Sequence, residues 1–189
     1  MDPLAQGLND LTAALTALGI RYFVSGSVAS SARGVIRGTL DGDLVALIFR
    51  PHLKMLVNTL GANWYADLGM MEHAVEQKRA FNLNHMPSAM KFDVFPAYTD
   101  FHESELERAT LEQLPMEGTR PCSVASSEDC LLSKLQWYRE GGEVSDRQWS
   151  DIGGILRMNR SLDWEYVNGW AARLSVADLL ARARVEAEL

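Results

Sequence analysis

The chain has 189 residues, of which 47% are apolar and 23% are charged, and its formal net charge at pH 7 is −7. This balance excludes a disordered or fibrous protein, and the length suits one globular domain with a helical extension or two small domains that share an interface. The negative charge argues against broad, sequence-independent binding to DNA or RNA, because the phosphate backbone attracts positive side chains.

The sequence shows neither a targeting segment nor a cysteine framework. The N-terminal residues MDPLAQGLND lack the layout of a secretion signal, and no apolar run approaches the roughly 20 residues of a membrane span. We therefore expect a cytoplasmic protein with no membrane partner. Cys122 and Cys130 lack the second pair or nearby histidine of a zinc site, and we expect both to be reduced thiols at or near the core.

The first 83 residues predict helices and strands in alternation. Leucines at helical spacing predict a helix between Pro3 and Gly19, and residues 22–24 form a short β-prone run. A Ser-Gly-Ser turn then opens a helix that ends at Gly34, and the apolar run at 43–48 predicts a strand in the middle of a sheet. The elements predicted next are a helix from Pro51 to Gly61, strands at 64–65 and 81–83, and a helix at 71–77.

Residues 90–95 predict a strand with one acid on a polar face. Side chains alternate along a strand, so Lys91, Asp93 and Phe95 face one way. Phe92 and Val94 face the other way, and the following proline ends the strand.

From residue 126 onwards the sequence predicts helices only. Polar N-cap residues begin four of them, at Ser126, Ser145, Asp163 and Ser175. We therefore divide the chain into an N-terminal core of helices and strands, residues 1–125, and a C-terminal helical region, residues 126–189. The large aromatic residues of this region are interpreted as core side chains, with base-stacking platforms as the alternative: Trp137, Tyr138, Trp149, Trp164 and Trp170.

Asp41 and Asp43, separated by one residue, admit two interpretations. On a strand they project from the same face, where two carboxylates together chelate a hard cation such as Mg²⁺. In a loop, the Asp-Gly dipeptide is only a polar turn before a buried strand. The tripeptide Asp41-Gly42-Asp43 alone does not decide between the two interpretations.

Two further features also have alternative interpretations. Gly26 and Ser27 form either a plain turn with a helix cap or a phosphate cradle, because amides at a helix N-terminus bind anions. Asp93 is either a solvated strand acid or a cation ligand. A buried, unpaired carboxylate beside Phe92 and Val94 is costly, and a bound cation removes that cost.

Together these features carry a family resemblance. The stretch YFVSGSVASSARGVIRGTLDGDLVALI resembles the opening of the polymerase-beta-like nucleotidyltransferase superfamily, with its strand, Gly-Ser turn, helix, Arg-x-Thr lead-in and Asp-x-Asp strand. The later KFDVFP looks like the superfamily's third-carboxylate strand, and the likeness covers roughly residues 10–96. The tail SSEDCLLSKLQWYREGGEVSDRQWSDI is similar to bacterial single-domain members, of the kind found among AbiEii-type toxins and antibiotic-modifying enzymes.

The resemblance implies a fold, a site and a reaction. The fold is α+β, a small mixed sheet flanked by helices, with a C-terminal helical cap as the other wall of a nucleotide cleft. The site residues are the catalytic and metal-binding Asp41, Asp43 and Asp93 and the nucleotide-binding Gly26, Ser27, Arg37 and Lys134. The cofactors are Mg²⁺, with two ions expected, and an NTP as donor. The reaction is transfer of NMP, most often AMP, to a hydroxyl of a small molecule, a protein or an RNA end.

Alternatives stay open at the level of residues and of function. Gly42 stands where the family often has a branched apolar residue, and glycine weakens strand order. This departure leaves room for a degenerate relative that only binds nucleotide or acts as a toxin-antitoxin partner, and an RNA-end (tRNA) transferase toxin is a second alternative. Arg37 has the alternative role of a surface ion pair, and Lys134 that of a solvated helix face. The four histidines show no metal or triad spacing and receive no role.

Overall fold

The structure is a computed structural model that describes residues 2–34 and 41–188. These residues fall into two compact units, one of residues 2–28 and 41–125 and the other of residues 29–34 and 126–188. Arg37, a predicted nucleotide-binding residue, lies outside the described part of the chain. Over the two described ranges, no helix is long and apolar enough to cross a membrane.

A mixed β-sheet forms the centre of the first unit. Its strands are β1 (Tyr22–Val24), β2 (Asp41–Ala46), β3 (Trp64–Tyr65), β4 (Phe81–His85), β5 (Met90–Pro96), β6 (Thr110–Glu112) and β7 (Cys122–Val124). Their order across the sheet is β3-β4-β5-β2-β1-β7-β6. The β2/β5 and β1/β7 pairs are parallel, and the other neighbouring pairs are antiparallel. β2 is therefore a central strand, as its apolar run predicts.

The helices of the first unit cover this sheet. They are α1 (Pro3–Ala17), α3 (Arg50–Leu60), α4 (Leu68–Glu76) and α5 (Asp100–Arg108), and the short α2 (Gly26–Ala32) crosses the division between the units. α1 packs against α3, β2 and β5 through an apolar face that includes the buried Leu8 and Leu15. Each leucine buried in this way stabilises the fold by about 1.5–3 kcal/mol.

An aromatic ring fills the space between α1 and the centre of the sheet. Phe92 of β5 is fully buried, and a Cβ added at either Gly7 or Gly42 would lie 2.6 Å from its ring. Trp64 packs on the same ring, with 5.4 Å between the ring centroids. Because side chains alternate along a strand, α1 covers the Gly42 face of β2, and Asp43 belongs to the opposite face.

The second unit is helical, as predicted from residue 126 onwards. Its helices are α6 (Ser127–Glu140), α7 (Asp146–Met158), α8 (Trp164–Arg173) and α9 (Ala177–Glu186). The side chains of Ser126, Ser145 and Asp163 cap the first three, which confirms those predictions. The prediction for Ser175 is wrong. Ser175 has a φ of 59° and its N–H donates to Ala172, so it closes α8 in the left-handed conformation common after a helix.

The aromatic residues of the second unit differ in burial. Tyr138 is buried, at 5% exposure, as the core interpretation predicts, and the tryptophans are partly buried. Guanidinium groups cover three of the indole rings: Arg173 lies 4.0 Å from Trp170, Arg182 lies 4.1 Å from Trp149, and Arg184 lies 4.3 Å from Trp164. The three indole rings are thus covered by charged guanidinium groups in cation-π contacts.

Candidate active site

Asp41 and Asp43 lie on a strand and not in a turn. β2 begins at Asp41, two residues earlier than the apolar run predicts, and pairs continuously with β5 from Asp41 to Ala46. The alternation of side chains places the two carboxylates on the same face, and both residues are half-buried. The interpretation of this tripeptide as a polar loop is therefore wrong.

Asp93 reaches the same face from the neighbouring strand. β2 and β5 are parallel, and their register sets Asp43 directly opposite Asp93 and Asp41 opposite Lys91. Adjacent strands lie about 4.8 Å apart, so residues in register are immediate neighbours. The structure thus places the three predicted acids on one face of two adjacent strands, although 50 residues separate Asp43 from Asp93 along the chain.

The first residue of α2 lies against the carboxylate of Asp43. Gly26 has a φ of 59°, and a Cβ added there would lie 2.7 Å from Asp43 Cγ. The preceding residue is anchored as well, because the N–H of Ser25 donates to the Asp43 carbonyl oxygen at 2.8 Å. Only glycine therefore fits at position 26, and it sets the start of α2 beside Asp43.

Two side chains of this protein hold the Asp93 carboxylate. Lys91 Nζ donates to Oδ2 at 2.8 Å, and Asn82 Nδ2 donates to Oδ1. The hydrogen bond that Lys91 donates to Asp93 raises the pKa of Lys91, burial opposes that rise, and the negative charges of Asp93, Asp41 and Asp43 reinforce it. All three acids are therefore close enough to act on one ammonium group.

The polar residues of three strands form two rows, which we call the acid face. One row is Asp43, Asp93 and Asn82, and the other is Asp41, Lys91 and Asn84. The asparagines belong to β4, where the alternating sequence FNLNH points them to the side opposite the buried Phe81 and Leu83. We did not predict them as site residues, although this alternation was readable in the sequence.

The acid face has the donor chemistry of a Mg²⁺ site. Carboxylate and amide oxygens are the ligands that hard divalent cations prefer, and three carboxylates share one face here. As the side chains stand in residues 2–34 and 41–188, however, no three His, Cys, Asp or Glu side chains gather closely enough to hold a metal ion. The ammonium group of Lys91 is the cation that pairs with Asp93 in this arrangement.

Lys134, predicted to bind nucleotide, is buried in the second unit. Its side chain is only 6% exposed, and Nζ pairs with Asp151 Oδ2 at 2.8 Å. The alternative of a solvated helix face is therefore wrong for this residue. The nucleotide-binding role of Lys134 stays a prediction, as does that of Arg37.

The chain shares its fold with solved nucleotidyltransferase structures, which confirms the predicted α+β class. No protein-family profile and no curated protein sequence matches it. Three solved structures are similar. The solution structure of the antibiotic-resistance factor ANT(2'')-Ia is 16% identical, covers 96% of each chain and has a TM-score of 0.57.

The other two similar structures are crystal structures. ANT(2'')-Ia in complex with adenylyl-2''-tobramycin is 18% identical, with 90% of this chain and 96% of that chain covered and a TM-score of 0.54. An antigenic nucleotidyltransferase-like protein from Paracoccidioides brasiliensis is 19% identical, with 97% and 93% covered and a TM-score of 0.56. These similarities establish the fold.

Proposed function

We propose that the protein is a metal-dependent nucleotidyltransferase that moves AMP from ATP to a hydroxyl group of a small molecule. The observation that carries this proposal is the register of β2 and β5, which sets Asp93 beside Asp43 with Asp41 on the same face. The position of Gly26 against Asp43 adds a second support, because it sets the amide end of α2 next to the acids.

Each group of the site has a role in this proposal. Asp41, Asp43 and Asp93 would hold Mg²⁺, and the N–H groups of Gly26 and Ser27 would donate to the β- and γ-phosphates. When bound, Mg²⁺ would lower the pKa of the acceptor hydroxyl and neutralise negative charge on the leaving pyrophosphate. The acceptor hydroxyl loses its proton to solvent, its oxygen forms a bond to the α-phosphorus, and the bond from that phosphorus to the bridging oxygen breaks, so pyrophosphate leaves.

The choice of donor and acceptor has its own support. ANT(2'')-Ia, which shares the fold, has been solved with an adenylylated small molecule, adenylyl-2''-tobramycin. The net charge of −7 also disfavours a long polyanionic acceptor such as tRNA. Cys122 and Cys130 are both buried thiols, which agrees with action in the reducing cytoplasm.

The test is pyrophosphate release from ATP in the presence of Mg²⁺ and candidate acceptors. Asp41→Asn, Asp43→Asn and Asp93→Asn each remove one metal-binding charge, so we expect each rate to fall by at least about 100-fold. Asp146→Asn is the matched control, because Asp146 is an exposed acid in the first turn of α7. Equal rates for the wild type and the three variants would contradict the proposal.

The acceptor is tested with α-labelled ATP. Tobramycin, the small-molecule fraction of a cell extract and total tRNA are incubated separately, and label is expected only in the small molecules. Label in tRNA would instead identify an RNA-end transferase. Saturable binding of ATP without pyrophosphate release from any mixture would identify a protein that binds nucleotide without transferring it.

A further inference from the structure

We propose that Lys91 is an internal counter-cation of the active site, whose ammonium group holds Asp93 until a divalent ion replaces it. This inference rests on the proposed metal site at Asp41, Asp43 and Asp93. It assigns a positioning role to a lysine outside the three carboxylates, because Lys91 acts through Asp93.

The geometry accounts for both oxygens of the Asp93 carboxylate. Lys91 precedes Asp93 by two residues on β5, so the two side chains share a face, and the ammonium nitrogen is 2.8 Å from Oδ2. Asn82, opposite Asp93 on β4, donates to Oδ1. Asp93 is therefore held from two sides by donors of this chain.

Burial makes such a partner necessary. The Asp93 side chain is only 16% exposed, whereas that of Lys91 is 45% exposed. A carboxylate removed from water in this way needs a hydrogen-bonded or charged partner, and two more carboxylates on the same face add repulsion. Lys91 lies in the row of Asp41, and its ammonium group bonds to Asp93 in the row of Asp43. From this position one positive charge reduces the repulsion between the carboxylates of both rows.

The ammonium group and a metal ion compete for Asp93. A divalent ion bound to Oδ2 would lie about 2–2.6 Å from that oxygen, and an ammonium at hydrogen-bond distance would then be within a few ångströms of it. Like charges at such a distance repel, even in water. The flexible four-carbon stem and the exposure of Lys91 allow its ammonium to swing into solvent, so exchange needs no movement of the strands.

Binding of Mn²⁺ without nucleotide tests this exchange, with free Mn²⁺ followed by electron paramagnetic resonance. We expect Lys91→Met to bind Mn²⁺ about tenfold more tightly than the wild type, because a repelling charge is removed. Lys91→Arg keeps the charge and should stay close to the wild type. Lys54→Met, which removes an exposed lysine on α3, is the matched control and should change nothing.

A second pair of variants separates failure of this inference from failure of the proposed function. Asp43→Asn, alone and combined with Lys91→Met, should abolish Mn²⁺ binding. If Mn²⁺ binding depends on Asp43 but Lys91→Met leaves it unchanged or weaker, the metal site stands and the role of Lys91 is wrong. If neither the wild type nor Lys91→Met binds Mn²⁺ in an Asp43-dependent way, the metal site and this inference both fail.

Discussion

Gly42 separates the two acids of β2. The ring of Phe92 fills the space that a side chain at position 42 would need. Phe92 lies directly opposite Gly42 in the register of β2 and β5, and the pairing continues without interruption on both sides of the glycine. The glycine between the two acids therefore has a packing reason in this chain. A branched apolar residue at position 42 would occupy the space that the aromatic ring takes.

Substitution of Gly42 tests this packing at the residue scale. The Cβ of Gly42→Ala would lie 2.6 Å from Phe92 Cδ1, so we expect the free energy of unfolding to fall by about 1–3 kcal/mol. Urea denaturation measures the change. Phe92→Leu should relieve the overlap, and the double variant should then be more stable than the sum of the single changes predicts.

A glycine in open surroundings is the control for this experiment. Gly169 lies within α8, and a Cβ added there has no neighbouring atom within 4 Å. Gly169→Ala should therefore leave stability unchanged or raise it by up to about 1 kcal/mol through helix propensity. Unaltered stability of Gly42→Ala would show that the ring is not confined as described.

At the scale of elements, the first turn of α5 depends on a neutral histidine. Thr99 caps the helix by accepting from the N–H of His102 at 3.1 Å, and His102 Nδ1 accepts from the N–H of Tyr98 at 3.2 Å. Burial lowers the pKa of His102 from its ordinary value of 6.5. Protonation would remove the Nδ1 lone pair that accepts this hydrogen bond.

This shift predicts a pH dependence of stability with a definite sign. The unfolded chain takes up a proton on His102 near pH 6.5, before the folded protein does, so stability is lost as the pH falls below that value. We expect His102→Gln to flatten the decline in the free energy of unfolding between pH 7.5 and pH 5.5 in urea titrations. The control is His73→Gln, which removes an exposed histidine of α4. If the free energy of unfolding falls equally steeply with pH in the wild type and in His102→Gln, His102 is not the source of the pH dependence.

α6 and α7 are joined by the buried ion pair of Lys134 and Asp151. Their side chains are 6% and 4% exposed, so removal of one partner takes this ion pair from a charge that stays in the interior. We expect Lys134→Met to lower the free energy of unfolding by about 3–5 kcal/mol. Asp178→Asn, which breaks the exposed pair of Arg139 and Asp178, should have a much smaller effect in the same denaturation assay.

The double variant Lys134→Met/Asp151→Leu distinguishes a structural role of Lys134 from a nucleotide-binding role. It removes both charges, so it should recover much of the stability lost in Lys134→Met. If the recovered protein binds ATP as the wild type does, Lys134 is a structural residue. Weaker ATP binding by a stably folded double variant would support its predicted nucleotide-binding role.

At the scale of the whole molecule, the sequence predicts the elements that have strong local signals. Periodic leucines predict α1, alternation predicts β5, and polar caps predict the starts of α6 to α8. It does not predict α5, β6 or β7. The two strands are three residues long, and they exist because distant partners pair with them, as Val124 does with Val24 and with Thr110. Such pairs are absent from local sequence patterns.

The candidate site follows the same division between local and distant signals. The spacing of Asp41 and Asp43 and the alternation around Asp93 were enough to predict three acids and to place Lys91 on the face of Asp93. The registers of β5 with β2 and with β4 were not readable, because they follow from strand pairing across the sheet. The sequence therefore could not show that Lys91 and Asn82 bind the third acid.

The strand order has a consequence for synthesis of the protein. β1 has β2 on one side and β7 on the other, and β7 ends about 100 residues after β1 along the chain. While the ribosome is still translating the codons before Cys122, the backbone N–H and C=O groups along one side of β1 have no strand to pair with. A nascent chain in this state offers an open sheet edge to other chains, which is a typical starting point for aggregation.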